Sequence, residues 1–376
     1  MFRVGVIGGG QLARMMHPAA IALGIELKVF AETEGSSAQA AATFVGDYTD
    51  LAQLRDFAKT VDVITFDHEH VPISLLQGLE ESGVSVQPPS KALAHAQNKL
   101  TMRRRLAELG LPQPNWRAIT SAAELEDFLS EQGGSVIVKT PIGGYDGKGV
   151  RVVNQVADVS DWLDRIGDFG GELLAEQKVP FTRELAQLSA TSPSGEFRAW
   201  PTVQTVQQGG VCAEVIAPAP APVRQEQAIE MANKIAAGLG VTGVLAVELF
   251  ETQDGSLFVN ELAMRPHNSG HFSIEAALTS QFEQHLRAVL DLPLGDTELV
   301  CPAAVMINLL GVDDRNAFVE HYPSAMAQFP QAKFHSYQKG ARAGRKMGHI
   351  TLLGDSADEL LAAGRDARRT LYGEGA

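Results

Sequence analysis

The chain has 376 residues, enough for two or three domains, with 45% hydrophobic and 20% charged residues, the balance of an ordinary globular enzyme. Its formal net charge of −14 argues against a general nucleic-acid binder, which needs a basic surface. The only two cysteines, Cys212 and Cys301, give no disulfide framework and no Cys-based zinc site, and no apolar run of about 20 residues offers a membrane span.

Residues 1–90 alternate short apolar strands (Arg3–Ile7, Glu26–Phe30, Val61–Phe66 and Val84–Val86) with helical stretches, the βαβ rhythm of a parallel sheet. Gly8–Gly10 interrupt the first apolar run, so no signal peptide is expected and the cytoplasm is the default location. The same glycines, with Ala13 and an acid at Glu32, look like a dinucleotide-binding fingerprint. Ser90 is placed to cap one long helix running to Leu109, stopped by Gly110 and Pro112. Its arginines Arg103–Arg105 span several helix faces and are expected mostly in solvent. A helix at Ala122–Gln132 and a strand in SVIVKT follow. Residues 135–215 read as short strands between Gly-rich turns, Ala217–Val223 as a loop, and Gln225–Leu239 as a helix. Two strands then flank Gln253-Asp254-Gly255, and from about residue 300 the chain reads as a small α/β or β-rich cap.

The stretch KTPIGGYDGKG (Lys139–Gly149) carries four glycines, two lysines and an aspartate after an apolar strand. Glycines admit backbone N–H groups close to phosphate oxygens, and Lys139 and Lys148 can neutralise an anion. GVRVV follows as a strand, so the loop is a hairpin tip, either a phosphate cradle or a plain surface hairpin. In the later pair of strands, centring a tight turn on Asp254-Gly255 sets Glu248 opposite Glu261. Facing carboxylates repel. Either solvent screens them or a divalent cation lies between them, and oxygen donors near phosphate favour Mg²⁺. In an ideal strand Asn260 points away from Glu261, and it joins the site only if the strand twists or ends there. RPHNSGH (Arg265–His271) has His-x-x-x-His spacing, yet Asn268-Ser269-Gly270 argues against a zinc-binding helix, leaving a polar substrate loop or a structural one. KGARAGRKMGH gathers Lys339, Arg342, Arg345 and Lys346 without an acid, either an anion site or a solvated turn.

GGGQLARM, FDHEHVP, GGYDGKG, AEQKVPFTRE, NELAMRPHNSGH and AGRKMGH occur in order over most of the chain. Together they resemble the ATP-grasp carboxylate–amine ligases, and within them the branch that carboxylates an aminoimidazole ribonucleotide in purine biosynthesis. The resemblance implies an α/β (overall α+β) fold: a Rossmann-like N-terminal domain at 1–98, an ATP-grasp domain at 99–295 with a lid at about 116–175, and a C-terminal substrate-capping domain at 296–376. It implies ATP and Mg²⁺ (or Mn²⁺) as cofactors, bicarbonate and aminoimidazole ribonucleotide as substrates, and a cytoplasmic homodimer without nucleic-acid or membrane partners.

The resemblance also assigns residues. Lys99 and Lys139 contact ATP phosphates, and Gly143, Gly144, Tyr145, Asp146, Gly147, Lys148 and Gly149 form the loop above them. Glu176, Gln177, Lys178 and Val179 form the adenine hinge, Glu184 holds the ribose, and Gln207 lies in the ATP site. Glu248 and Glu261 bind metal, with Asn260 nearby. Tyr145, Arg265, His267, Asn268 and Lys346 surround the reacting groups. Gln11, Leu12, Glu69, Lys339, Arg345 and Lys346 hold the ribonucleotide, so the glycine turn faces that substrate rather than NAD. The chain departs from many relatives at Thr205 and Gln207, where asparagine and histidine are common, and at Glu261-Leu262-Ala263 in place of Glu-x-Asn. The competing readings are another ATP-grasp ligase acting on a ribonucleotide, for example with formate or an amino acid, an NAD-dependent dehydrogenase, and a nucleotide sensor without turnover.

Overall fold

A computed structural model describes residues 1–144, 148–312 and 318–373. The first strands are β1 (Arg3–Ile7), β2 (Glu26–Ala31), β3 (Ala42–Val45) and β4 (Val63–Phe66), in a parallel sheet of order β3-β2-β1-β4. Chain direction across the sheet reverses beside β1. The turns after β1 and β4 therefore share one crevice, where open α/β sheets bind ligands. Val84–Val86 contributes only a single bridge, Val86 to Ile64.

The long helix expected from Ser90 is two helices, Ser90–Gln97 and Lys99–Glu108. Asn98 leaves the helical region at φ −130° and ψ 110° and its side chain caps the second helix by accepting from the Thr101 N–H, as a short polar side chain does at an N-cap. Ser90 caps neither: it is the first helical residue, and its N–H and hydroxyl both donate to Glu80. The break starts a fresh helix at Lys99, whose N–H donates to the Pro141 carbonyl beside the glycine loop.

A second, four-stranded sheet holds β5 (Trp116–Ile119), β6 (Val136–Lys139), β7 (Val150–Val153) and β8 (Leu173–Gln177) in the order β5-β8-β6-β7. β6 and β7 are antiparallel and pair Lys139 with Val150, so the glycine loop is a hairpin tip as read from the sequence.

The third sheet has nine strands. Its main path starts with β14 (Leu257–Ala263), β13 (Gly243–Thr252), β9 (Phe181–Thr191), β11 (Val203–Gln208) and β12 (Val211–Ala217). It continues through β15 (Ala303–Leu310), β17 (Lys346–Gly354) and β16 (Lys333–Ser336), while β10 (Phe197–Ala199) pairs with β9 alone. The C-terminal strands thus extend the central sheet through the β12–β15 pairing, and the C-terminal cap shares this sheet. Helix Gln281–Val289 lies between this sheet and the first. Buried His285 on it links β4, through the Thr65 hydroxyl (2.8 Å), to β13, through the Val244 N–H (3.0 Å). Burial pushes this imidazole down to about 3, so it stays neutral and can serve as a structural acceptor. Among the described residues no helix is long and apolar enough to cross a membrane.

Candidate active site

The acidic pair comes from the hairpin β13–β14. Glu248 and Glu261 are opposed, as the turn argument expected, but by a different route. The loop has three residues, Gln253–Gly255, because Thr252 N–H donates to the Ser256 carbonyl. Gly255 takes φ 78°, the left-handed conformation that closes such loops. Near the turn Leu249 therefore faces Val259, one residue off the expected register. Asn260 is then an extra residue in β14, a bulge, and it restores the Glu248–Glu261 pairing. The bulge also turns the Asn260 side chain into the site. Its Nδ2 approaches Glu248 Oε2 at 3.4 Å, and its Oδ1 accepts from Lys139 Nζ at 3.2 Å.

Cations surround the pair. Lys99 Nζ lies 2.9 Å from Glu261 Oε1, and Lys139 Nζ 2.8 Å from Glu176 Oε2. Glu176 is only 2% exposed and also takes Arg103 Nε at 2.5 Å. Burial alone would raise its carboxyl, but Lys139 and Arg103 hold it down at about 2. For Glu261 burial likewise opposes ionisation and is outweighed by Lys99 and Lys139, which leaves this carboxyl below the ordinary range. Glu248 goes the other way: burial, then repulsion from Glu261 and Glu184, raises it. Both carboxylates keep a face to solvent in the cleft, with side chains 25% and 41% exposed.

Arg103 corrects the sequence reading. It is fully buried beneath the site. Its i, i+4 spacing from Lys99 puts both on one helix face, a signal present in the sequence.

The glycine loop lies alongside. Gly149 takes φ 72°, and a Cβ there would meet Thr140 Oγ1 at 2.4 Å, so only glycine fits between the strand end and the loop. Gly144 is close to the Lys99 ammonium: a Cβ at that position would lie 3.7 Å from Nζ. Gly143 is exposed and Lys148 projects at the tip. Tyr145, Asp146 and Gly147 lie outside the described residues. Gln177, partly buried, ends β8, Lys178 is exposed, and Val179 is buried with its carbonyl accepting from Phe181. Glu184 on β9 lies opposite Thr205 on β11 and Phe250 on β13, and burial raises it. Gln207 follows an irregularity in β11 after Val206.

On the other side, His267 Nε2 is 3.4 Å from Glu248 Oε1. Burial, with Arg265 and Lys346 nearby, holds His267 well below the ordinary imidazole range, so it is neutral. Its Nδ1 accepts from the Ser269 N–H, leaving the Nε2 proton toward Glu248. Among the described residues no donor reaches the buried Asn268 Oδ1. Lys346 opens β17 and acts on Glu248 from that side, lowering it. Arg345 Nη1 donates to the Gly340 carbonyl at 3.1 Å within the basic loop.

The first glycine turn completes the cleft. Gly10 has its Cα so close to Asp67 that a Cβ would lie 2.0 Å from Oδ2. Asp67 accepts from the Ala13 N–H at 2.8 Å, and burial raises its carboxyl. Glu32, the acid of the dinucleotide fingerprint, is engaged by the Gly9 N–H and by His68. The His68 hydrogen bond brings it down to about 2. Gln11 Oε1 accepts from Lys339 Nζ across 328 residues of sequence. Glu69 accepts from the Met264 N–H at 2.6 Å and pairs with Arg265 at 3.4 Å. Leu12 packs its side chain into the apolar core, so only its backbone is available to a ligand.

Comparison with known proteins gives the family. A ribonucleotide synthetase preATP-grasp domain matches residues 1–97, an ATP-grasp domain 104–282, and a phosphoribosylaminoimidazole carboxylase C-terminal domain 304–363. The N5-carboxyaminoimidazole ribonucleotide synthase of Mycobacterium bovis is 50% identical over 367 residues, covering 95% of this chain and 85% of the relative. The crystal structure of the ADP complex of an N5-carboxyaminoimidazole ribonucleotide synthetase superposes with TM-score 0.89 at 34% identity, covering 99% of this chain and 97% of that one. The Aspergillus clavatus N5-carboxyaminoimidazole synthase in complex with ADP and 5-aminoimidazole ribonucleotide gives TM-score 0.89 at 32% identity, covering 99% of each chain.

Proposed function

We infer the reaction from family membership: the chain belongs to the N5-carboxyaminoimidazole ribonucleotide synthases, which are ATP-grasp ligases. It is an ATP-dependent carbon–nitrogen ligase that carboxylates 5-aminoimidazole ribonucleotide to the N5-carboxy product in purine biosynthesis. To this we add bicarbonate as the carbon source, Mg²⁺ as the cation, a cytoplasmic location and a homodimer. The observation that supports the two-sided reading is the position of Glu248. It meets Asn260 and the nucleotide-side cations on one flank and His267 and Lys346 on the other.

The residues fit Mg²⁺. Glu248, Glu261 and the Asn260 amide offer hard oxygen donors, and the repulsion that raises Glu248 is relieved by a divalent cation. Bound there with ATP, the ion supplies charge neutralisation for phosphoryl transfer. Lys99 and Lys139 are suited to the ATP phosphates, and Glu176 fixes the Lys139 ammonium. A bicarbonate oxygen attacks the γ-phosphorus, the bond to ADP breaks, and carboxyphosphate forms. The exocyclic amine of the ribonucleotide then adds to the carboxyl carbon, phosphate leaves, and the amine gives up a proton.

Arg265 would hold the carboxyl group, and Asn268 Oδ1, which has no donor among the described residues, would accept an amine N–H. Neutral His267 contributes a donor without adding positive charge beside the amine. Lys339, Arg345 and Lys346 are assigned to the substrate phosphate, and Gln11 and Glu69 to the remainder of the ribonucleotide. The deciding experiment measures ADP release in bicarbonate buffer with and without aminoimidazole ribonucleotide. Strong stimulation is expected, and ADP release indifferent to that substrate would overturn the assignment.

A further inference from the structure

Arg103 makes three contacts through one guanidinium. Nε donates to Glu176 Oε1 at 2.5 Å, Nη1 to the Val259 carbonyl at 2.8 Å, and Nη2 to the Asn260 carbonyl at 2.7 Å. The side chain is 0% exposed. The two carbonyls belong to consecutive residues of β14. In a regular strand successive carbonyls point to opposite edges, so one group on one edge cannot take both. Here it can, because Asn260 is the bulge residue and its carbonyl has left the β13 ladder. A buried carbonyl turned out of its ladder needs another donor, and Arg103 supplies it. The same bulge aims Asn260 at Lys139 and Glu248. Through Glu176 the guanidinium also fixes the partner that holds Lys139.

We propose that Arg103 is a positioning residue for the nucleotide and metal half of the site: it maintains the β14 bulge and the Glu176–Lys139 pair, and so sets Asn260 and Lys139 without touching substrate. This rests on the reading of that half as the nucleotide site. A lysine cannot replace it, since an ammonium lacks the flat array of donors that spans a carboxylate and two carbonyls.

The test uses Arg103→Met, Arg103→Lys, Asn260→Ala and the Arg103→Met/Asn260→Ala double variant. Melting temperature and calorimetric binding of aminoimidazole ribonucleotide report the fold. Electron paramagnetic resonance of Mn²⁺ with a non-hydrolysable ATP analogue reports the metal site. Misplaced groups can cost about 100-fold in kcat, and that loss is expected for Arg103→Met. Mn²⁺–analogue affinity should fall at least severalfold, with ribonucleotide affinity within a factor of about two of wild type. Arg103→Lys should fold and remain well below wild type in kcat. Asn260→Ala should add less than about twofold in the Arg103→Met background, because Asn260 is already displaced there.

Full multiplication of the two single losses would overturn the proposal, as would ribonucleotide affinity falling in step with Mn²⁺–analogue affinity. If Arg103→Met does not fold, Arg103→Lys decides, and wild-type kcat with wild-type Mn²⁺ binding in that variant refutes the role. The Mn²⁺ measurements need no carboxylation. A wild-type enzyme that ignores aminoimidazole ribonucleotide would therefore defeat the functional reading while these measurements still judge Arg103.

Discussion

The two halves of the cleft are built differently. On the side proposed for the nucleotide the groups that meet one another stand on or at the end of regular elements: Glu248 and Glu261 on paired strands, Lys139 at the end of β6, Lys99 and Arg103 on one helix. Lys99 pairs with Glu261, and Lys139 and Arg103 pair with Glu176, which is almost fully buried among them. On the side proposed for the ribonucleotide the polar groups stand on turns and at the ends of elements, Gln11 opening the helix Gln11–Leu23 and Lys346 opening β17. Lys339 follows Gln338, which takes φ 50°, an unusual conformation for a residue with a side chain. Lys339 meets Gln11 from a region distant in sequence. A preorganised frame suits transferring charge, whereas loops from separate regions suit admitting and gripping a substrate.

The sharpest way to break this contrast is Glu261→Gln. Loss of a charged group at the proposed phosphoryl centre should cut kcat by about 10²- to 10³-fold. The melting temperature should change little, because relief of the repulsion with Glu248 is offset by the loss of the Lys99 partner. ADP-release kinetics and a melting scan check both, and near-normal turnover would remove the acidic pair from the chemistry.

Lys346→Ala probes the boundary between the halves. A charge-assisted hydrogen bond is worth about 1.5–3 kcal/mol, so ribonucleotide KM should rise about 10- to 150-fold. Because Lys346 also acts on Glu248, kcat should fall with it while ATP KM moves less. Gln11→Ala lies wholly on the side proposed for the ribonucleotide. The loss of a neutral hydrogen bond, about 0.5–1.5 kcal/mol, should raise ribonucleotide KM about 2- to 13-fold and leave ATP KM unchanged. Steady-state kinetics with each substrate varied in turn separates the two patterns.

The smallest expected effect concerns pH. Glu248 has its folded-state pKa raised, so the native protein holds a proton there that the unfolded chain has lost. Its contribution is present below the ordinary carboxyl value and is lost as pH rises through the raised one. Glu248→Gln should remove that loss. The variant should match wild type near pH 4.5 and melt slightly higher, by about 1–2 °C, at pH 8. A variant that melts lower at pH 8 than at pH 4.5, relative to wild type, would reverse the sign.

Sequence periodicity was enough for β1, β2 and β4, the glycine-loop hairpin and the helix at Gln225–Leu239, because their apolar patterns are local, but it missed β3 and took Val84–Val86, which forms a single bridge, for a strand. The facing of Glu248 and Glu261 was legible too, though two one-residue offsets had to cancel: a three-residue loop where two were assumed, and the bulge at Asn260. The bulge itself was hidden, since Arg103, which donates to its carbonyls, lies far away in sequence. Arg103 sits in a run of three arginines that looks solvated until the helix is divided at Asn98. Glu32 fitted a dinucleotide pattern because spacing cannot reveal that Gly9 and His68 already occupy it.

The nine-stranded sheet has a consequence for how the molecule is made. During synthesis β13 and β14 emerge before β15 and β17, so the acidic pair can be assembled while the strand bearing Lys346 is still inside the ribosome. β17 then docks between β15 and β16, and the Lys339–Gln11 contact joins the newest part of the cleft to the oldest. The frame proposed for phosphoryl transfer can therefore form before the groups proposed to hold the ribonucleotide are complete. Until β15 docks, the free edge of β12 is open to pairing with other chains.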